Sequence, residues 1–362
     1  MKAGTPNRRE VFSDAIPGRD ALAWDRFLSE CARGQFQQSS GWAAVKALDG
    51  WSAVREYLDP ADPASGGFQL LWKRSRVGRI GYVSKGPVLP DETEQAVQAA
   101  LERVADAARG ARLAAIVLQP PDDSAISSGR LARGGYVAEP LQNVIRATGV
   151  ISLDGGADGA LGRMSRTARQ DWRTARRQGL NLRSGSRQDL GIFFSLMCES
   201  CRRQRAAPNP SRLELLEALW DAFPGKVGLS FVEHEGRSRA GLLTIHQRGT
   251  IVFWKKGWDA ETPRLFASTF LMVECLIQAA ALGFSEADMV SLSPDTAAAI
   301  LAGAQLSETQ RRSRDMFNLR FGAKPKLLPP AHLLVLNPAL RRATNLVLRW
   351  PTLRQALERR VA

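Results

Sequence analysis

Lys46 stands one helical turn after Trp42, so a flexible ammonium can reach an anionic group while the indole packs inward. The same placement also suits an ordinary exposed lysine on an amphipathic helix. Further along, Trp254, Lys255, Lys256 and Trp258 interleave aromatic and basic groups at what reads as a strand end. An anionic or sugar ligand would favour that pattern, and a strand alternating between core and surface fits it equally well. In the segment 163–177, Arg166, Arg169, Arg173 and Arg177 fall on one side of a helix, with Met164, Ala168, Trp172 and Ala175 on the other. Such a polar face suits phosphates, with affinity that falls steeply with salt, or simply faces solvent. Nucleophilic chemistry has no foothold. There is no Gly-x-Ser-x-Gly elbow, and His234, His246 and His332 lack an acid or metal partner at usable spacing. Cys198 and Cys201 form one Cys-x-x-Cys with no second pair, so no metal site is expected.

The chain that must position these groups has 362 residues, enough for two domains. At 44% hydrophobic and 24% charged residues it is neither disordered nor collagen-like. Four cysteines are too few for a disulfide framework, no apolar run reaches membrane-spanning length, and Met1 to Glu10 has no signal-peptide core. A cytoplasmic protein is expected. The net charge of +14 is concentrated: residues 161–187 carry eight arginines and one aspartate, and residues 331–362 six arginines and one glutamate. Charge gathered in this way favours phosphate-bearing partners or anionic lipid, or marks a solvated arginine-rich face.

Periodicity places helices at 21–33 and around Trp42, Val45 and Leu48, then strands at 68–73 and 78–83 closed by Gly86-Pro87. Asp91 is the expected cap of a helix ending near Gly110, and 113–119 reads as a buried strand. A shorter helix and an extended stretch to about Ser152 follow. The second half repeats the order: helix 161–178 stopped by Gly179, strand 180–183, and helices 189–204 and 211–222. Three strands then meander over 227–233, 239–247 and 250–254. A long helix runs from Pro263 to Leu282, and 284–292 is strand-like. A meander, a helix, a glycine stop and a buried strand thus occur twice, an α+β layer arrangement. The expected domains are 1–155 and 156–330, with a basic amphipathic tail over 331–362 that either lies on an anionic membrane or covers the second domain.

Several local patterns resemble the FemABX family of peptidoglycan aminoacyltransferases and its broader tandem GNAT acyltransferase relatives. Gln37, Trp42, Lys46, Gly50 and Trp51 look like the family's N-terminal signature, and Tyr82 with Gly86-Pro87 resembles its Gly-Pro element. Arg166, Arg169, Ala175, Arg176, Gly179 and Leu180, continued by Asp189-Leu190 and Phe193-Phe194, are similar to the stretch that opens its second domain. Phe317-Asn318-Leu319-Arg320-Phe321-Gly322 resembles its closing element.

The resemblance implies two GNAT-like (acyl-CoA N-acyltransferase-like) domains and a cytoplasmic, monomeric enzyme, peripheral to the membrane's inner face if the tail binds lipid. It also implies transfer of an amino acid from aminoacyl-tRNA to an amine on a nucleotide- or lipid-linked cell-envelope precursor, with no cofactor. It makes Lys46, with Trp42, substrate-binding at the precursor's diphosphate, joined by Arg203 and Arg205; the interleaved aromatic and basic pattern adds Trp254 and Lys256. It gives the arginine face (Arg166, Arg169, Arg173, Arg177) to tRNA and sets Asn318 near the reacting carbonyl. Asn318 stands where the family has lysine, and Gln119-Pro120 where it often has an acid and proline. Two other readings stay open: an acyl-CoA-dependent N-acyltransferase acting on an exopolysaccharide or lipid precursor, and a non-catalytic tandem GNAT binding module.

Overall fold

The computed structural model describes residues 19–139 and 144–349, which fall into two compact units. The first comprises the chain up to Val144 together with the segment from Pro329, and the second is Ile145–Leu328. The boundary lies eleven residues earlier than the sequence suggests. The strand Ala147–Ser152 pairs with two strands of the second sheet, so it belongs there.

In the first unit, β1 (Ser52–Asp59), β2 (Asp62–Ser75) and β3 (Gly78–Ser84) form an antiparallel meander. The helix Glu94–Gly110 then carries the chain to β4 (Ala115–Gln119), which runs parallel to β3. Thr93, not Asp91, caps this helix by accepting from the Ala96 amide. Its buried Val97, Ala100, Leu101, Val104 and Ala108 recur at helical spacing against Phe68, Leu70, Val83 and Ile116 of the sheet. β5 (Val137–Ala138) lies at the far edge. β1 escaped the sequence reading because its inner residues are only half-buried and show no alternation.

In the second unit, β6 (Ala147–Ser152) precedes two helices, Gly156–Arg163 and Arg166–Arg177. One helix was expected over 161–178. Met164 is instead extended, and Ser165 starts a new helix by accepting from the Ala168 amide. β7 (Asn181–Ser184) and the helices Leu190–Arg203 and Leu213–Ala222 lead to an antiparallel meander of β8 (Val227–His234), β9 (Arg237–Gln247) and β10 (Thr250–Trp258). The expected long helix is broken at Phe266, whose φ of 54° separates Thr262–Leu265 from Ala267–Ala281. β11 (Glu286–Asp288) pairs parallel to β10 and is far shorter than the expected 284–292, because Val290 and Ser291 adopt positive φ and turn the chain away. β12 (Lys324–Leu327) closes the edge beside β6.

The last strand is β13 (His332–Val335). The sequence assigns it to a separate basic tail. In the structure it lies between β4 and β5 in the first sheet, with Leu334 and Leu336 against that unit's core. A helix, Pro338–Arg349, follows it, and the rest of the expected tail lies outside the described residues.

Each unit therefore carries a meander, a helix and a parallel fourth strand, the α+β order of a GNAT-like domain, twice in one chain.

Candidate functional site

In the first unit the chemistry gathers around the helix Ser40–Ala47. Gln38, fully buried, docks the segment that precedes it. Its amide nitrogen donates to the carbonyls of Ser84 (2.6 Å) and Gln69 (3.3 Å), and its Oε1 accepts from the Gln69 amide at 2.7 Å. A Cβ on Gly86 would stand 2.9 Å from this amide group, so the glycine of Gly86-Pro87 leaves the room that Gln38 fills. The Gln69 side chain holds the carbonyl of Ser39 from below at 2.8 Å.

Thus docked, the helix sets Lys46 between two indoles, its Nζ 5.2 Å from the Trp42 ring centre and 5.6 Å from that of Trp51. Lys73 approaches the Trp51 ring at 4.9 Å, and Trp51 packs edge-on to Tyr82. Asp49 accepts from the Trp51 ring nitrogen at 3.2 Å and pairs with Lys73 at 3.6 Å. Burial draws the Lys46 pKa below the usual lysine range, with Asp49 opposing and Lys73 assisting. Burial and then Glu139 push the Tyr82 hydroxyl up. Two ammonium groups on aromatic faces suit a phosphate ester whose ring stacks beside them.

In the second unit the site lies where β10 leaves β11. Their parallel pairing ends at Val252 and Asp288, and a bulge follows in β10 between Val252 and Lys255. The bulge decides which lysine faces inward. Unshifted, the register would set Lys255 opposite Leu242; the extra residue sets Lys256 there, on the face that packs against the helix Ala267–Ala281. Gly257 faces the other way, where a Cβ would come 2.4 Å from the Met197 backbone nitrogen of the helix Leu190–Arg203.

The short helix Asp315–Leu319 bridges the divergence. Buried Asp315 accepts from the Ser293 amide beyond β11, and Asn318 Oδ1 accepts from Lys256 Nζ at 3.3 Å. Lys256 lies 5.6 Å from the Phe317 ring centre, and the Arg320 guanidinium 5.3 Å from that same centre. Arg320 is held by Asp171 and by Thr269, each at 2.7 Å. Burial, with Arg314 nearby, pulls the Lys256 pKa down to about 8.

The other expected residues are placed as follows. Arg203 ends its helix paired to Glu199 and donates to the Trp258 carbonyl, at the end of the bulged strand. Arg205, with φ 54°, is exposed beyond that helix. Trp254 carries Lys255 against its ring at 5.0 Å. On the arginine helix, Ala168, Trp172 and Ala175 are buried as expected, and Arg166, Arg173 and Arg177 are exposed. Arg169 differs: its guanidinium donates to the carbonyls of Leu161, Gly162 and Met164, capping the preceding helix. Lys73, Arg314 and Gln38 were missed. No local pattern marks them, since each reaches its site through strand pairing or a loop distant in sequence.

Residues 162–296 match the acetyltransferase (GNAT) domain family. A lipid II:glycine glycyltransferase of Staphylococcus aureus is 25% identical over 185 residues, 48% of this chain and 44% of that one. The chain thus spans less than half the length of this curated relative. Among solved structures, FemX superposes with a TM-score of 0.74 at 16% identity, covering 92% of this chain and 99% of that one. L-PGS from Bacillus licheniformis gives 0.54 at 12% identity, covering 96% of this chain and 100% of that one.

Proposed function

Taking the chain as a FemABX-type tandem GNAT protein, we propose that it is an amide-forming acyltransferase acting on a peptidoglycan precursor, with aminoacyl-tRNA as the acyl donor. The observation that carries this reading is the meeting of Lys256 and Asn318 where β10 diverges from β11. Direct transfer from an activated ester needs a positioned carbonyl, a neutral amine and donors for the developing oxyanion. It needs no protein nucleophile, in keeping with a site built from an amide, a desolvated ammonium and aromatic rings. Asn318 would face the reacting carbonyl.

The acceptor's diphosphate would lie on Lys46 with Trp42, supported by a relative named for lipid II as its substrate. Arg203 and Arg205 would border the acceptor peptide near Trp258, with Trp254 beside them. Exposed Arg166, Arg173 and Arg177 would meet tRNA phosphates, while Arg169 supports their helix. Among the described residues no helix is long and apolar enough to cross a membrane, and the basic stretch from residue 341 onward would lie on anionic lipid.

The test supplies purified protein with a charged tRNA pool and either nucleotide-linked or lipid-linked muropeptide precursor. The expected product is the precursor heavier by one aminoacyl residue, formed more slowly as salt rises. Absence of both transfer and binding of either substrate overturns the proposal. The match to an acetyltransferase family favours one rival donor, acyl-CoA, and transfer from it but not from tRNA in the same assay would establish that rival.

A further inference from the structure

Asn318 is 8% exposed, and buried side-chain amides normally satisfy both ends. Here only one end has a partner in the protein: Oδ1 accepts from Lys256, while the amide nitrogen has none among the described residues and keeps a small accessible face that a ligand can meet. An asparagine amide can sit in either of two flips, but a protonated lysine is a donor only, with nothing to accept. Lys256 therefore allows one flip, the one that turns the NH2 group away from it. The bulge in β10 selects Lys256 for this face, and the Phe317 ring lies against the ammonium.

We propose that Lys256 is a positioning residue that acts through Asn318, locking the side-chain amide so that its NH2 presents an N–H donor to an acyl carbonyl oxygen. This rests on the acyl-transfer reading above. In the step served, the acceptor amine nitrogen bonds to the carbonyl carbon and the π electrons move onto the oxygen that the amide meets. Collapse restores the carbonyl, breaks the bond to the donor's ester oxygen, and the proton shed by the amine leaves with that oxygen. The lock needs the ammonium form. A neutral amine can also accept, so both flips become available once Lys256 loses its proton. The charged groups around it are Arg314 and, across the Phe317 ring, the Arg320–Asp171 pair.

The test is a double-mutant cycle with a spectroscopic arm. Asn318→Ala is expected to lower kcat about 100-fold, the usual cost of one oxyanion donor. Lys256→Met is expected to lower it about 10-fold with KM nearly unchanged, and to add nothing in the Asn318→Ala background. Lys256→Arg, still donor-only, restores most of the rate, and the ratio of wild-type to Lys256→Arg kcat falls above pH 8. Equal losses from Lys256→Met in both backgrounds, or no loss from Asn318→Ala, overturn the proposal. The spectroscopic arm reads the lock without turnover. The Asn318 side-chain NH2 resonance, identified by its loss in Asn318→Ala, should titrate near pH 8 in the wild type and stay flat in Lys256→Met. A flat wild-type signal overturns the lock even if transfer occurs; a titrating signal in a protein without transfer overturns the transferase reading and leaves the lock standing.

Discussion

Lys46 and Lys256 occupy the two copies of one architecture, and both are drawn out of water, yet they are built for different ends. Lys46 sits between two indoles with a carboxylate, Asp49, close enough to oppose the effect of burial. Lys256 has an amide, a phenyl ring and a second cation, Arg314, and its pKa falls to about 8. Aromatic faces with a nearby counter-charge keep an ammonium charged, as suits gripping an anion. An amide partner with a like charge makes the ammonium conditional on pH. Each lysine has a like charge nearby, Lys73 or Arg314, so the difference lies in the Asp49 carboxylate that Lys46 has and Lys256 lacks.

The largest expected effect tests whether the Lys46 side of this contrast depends on its buried clamp. Gln38→Ala removes the hydrogen bonds to Ser84, Gln69 and the Gln69 amide and leaves buried backbone groups unpaired, a loss of about 3 kcal/mol measured by urea unfolding. An unchanged midpoint would mean that the aromatic cluster is held some other way.

Next is Lys256→Met, which sharpens the contrast because stability and activity should move in opposite directions. The Lys256 pKa is lower folded than unfolded, so the unfolded chain binds more protons between about pH 8 and 10.5, and stability rises with pH across that window. Below pH 8 the charged form carries its full cost of about 3 kcal/mol, and losing the hydrogen bond to Asn318 offsets about 1, so the methionine variant should be more stable there by about 2 kcal/mol, with the gain gone above about pH 10.5. Thermal unfolding at pH 7 and pH 11 reads this directly.

The smallest effect concerns binding. Lys46→Met should weaken a nucleotide diphosphate-linked precursor about 10-fold in calorimetry, while leaving the pH dependence of kcat as in the wild type. A shifted profile would erase the distinction between the two lysines.

The doubled order of strands and helices was readable because its helices are marked locally, by the apolar stripe of Val97, Leu101 and Val104 in one unit and by Pro263 and Gly283 at the two ends in the other. The Lys46–Trp42 pair was readable because one helical turn is a local distance. The break at Ser165 had a legible cap, but the strong arginine periodicity ran across it. What could not be read depends on pairings remote in sequence. Choosing Lys256 over Lys255 requires the bulge, which shows only against β9. Joining Lys256 to Asn318 spans 62 residues and two elements. Gln38, not the neighbouring Gln37 of the family-like signature, is the clamp, a choice settled by which amide reaches the middle of β2 and the end of β3.

The position of β13 has a bearing on how the chain is made. The first sheet finds its fifth partner only at residues 332–335, after the whole of the second unit has been synthesised. A nascent chain that stops at Leu328 has β4 bare along one side, with the backbone donors and acceptors of an open edge. Synthesis therefore finishes the later unit first, and the earlier one waits with an adhesive flank exposed until the final segment emerges to seal it.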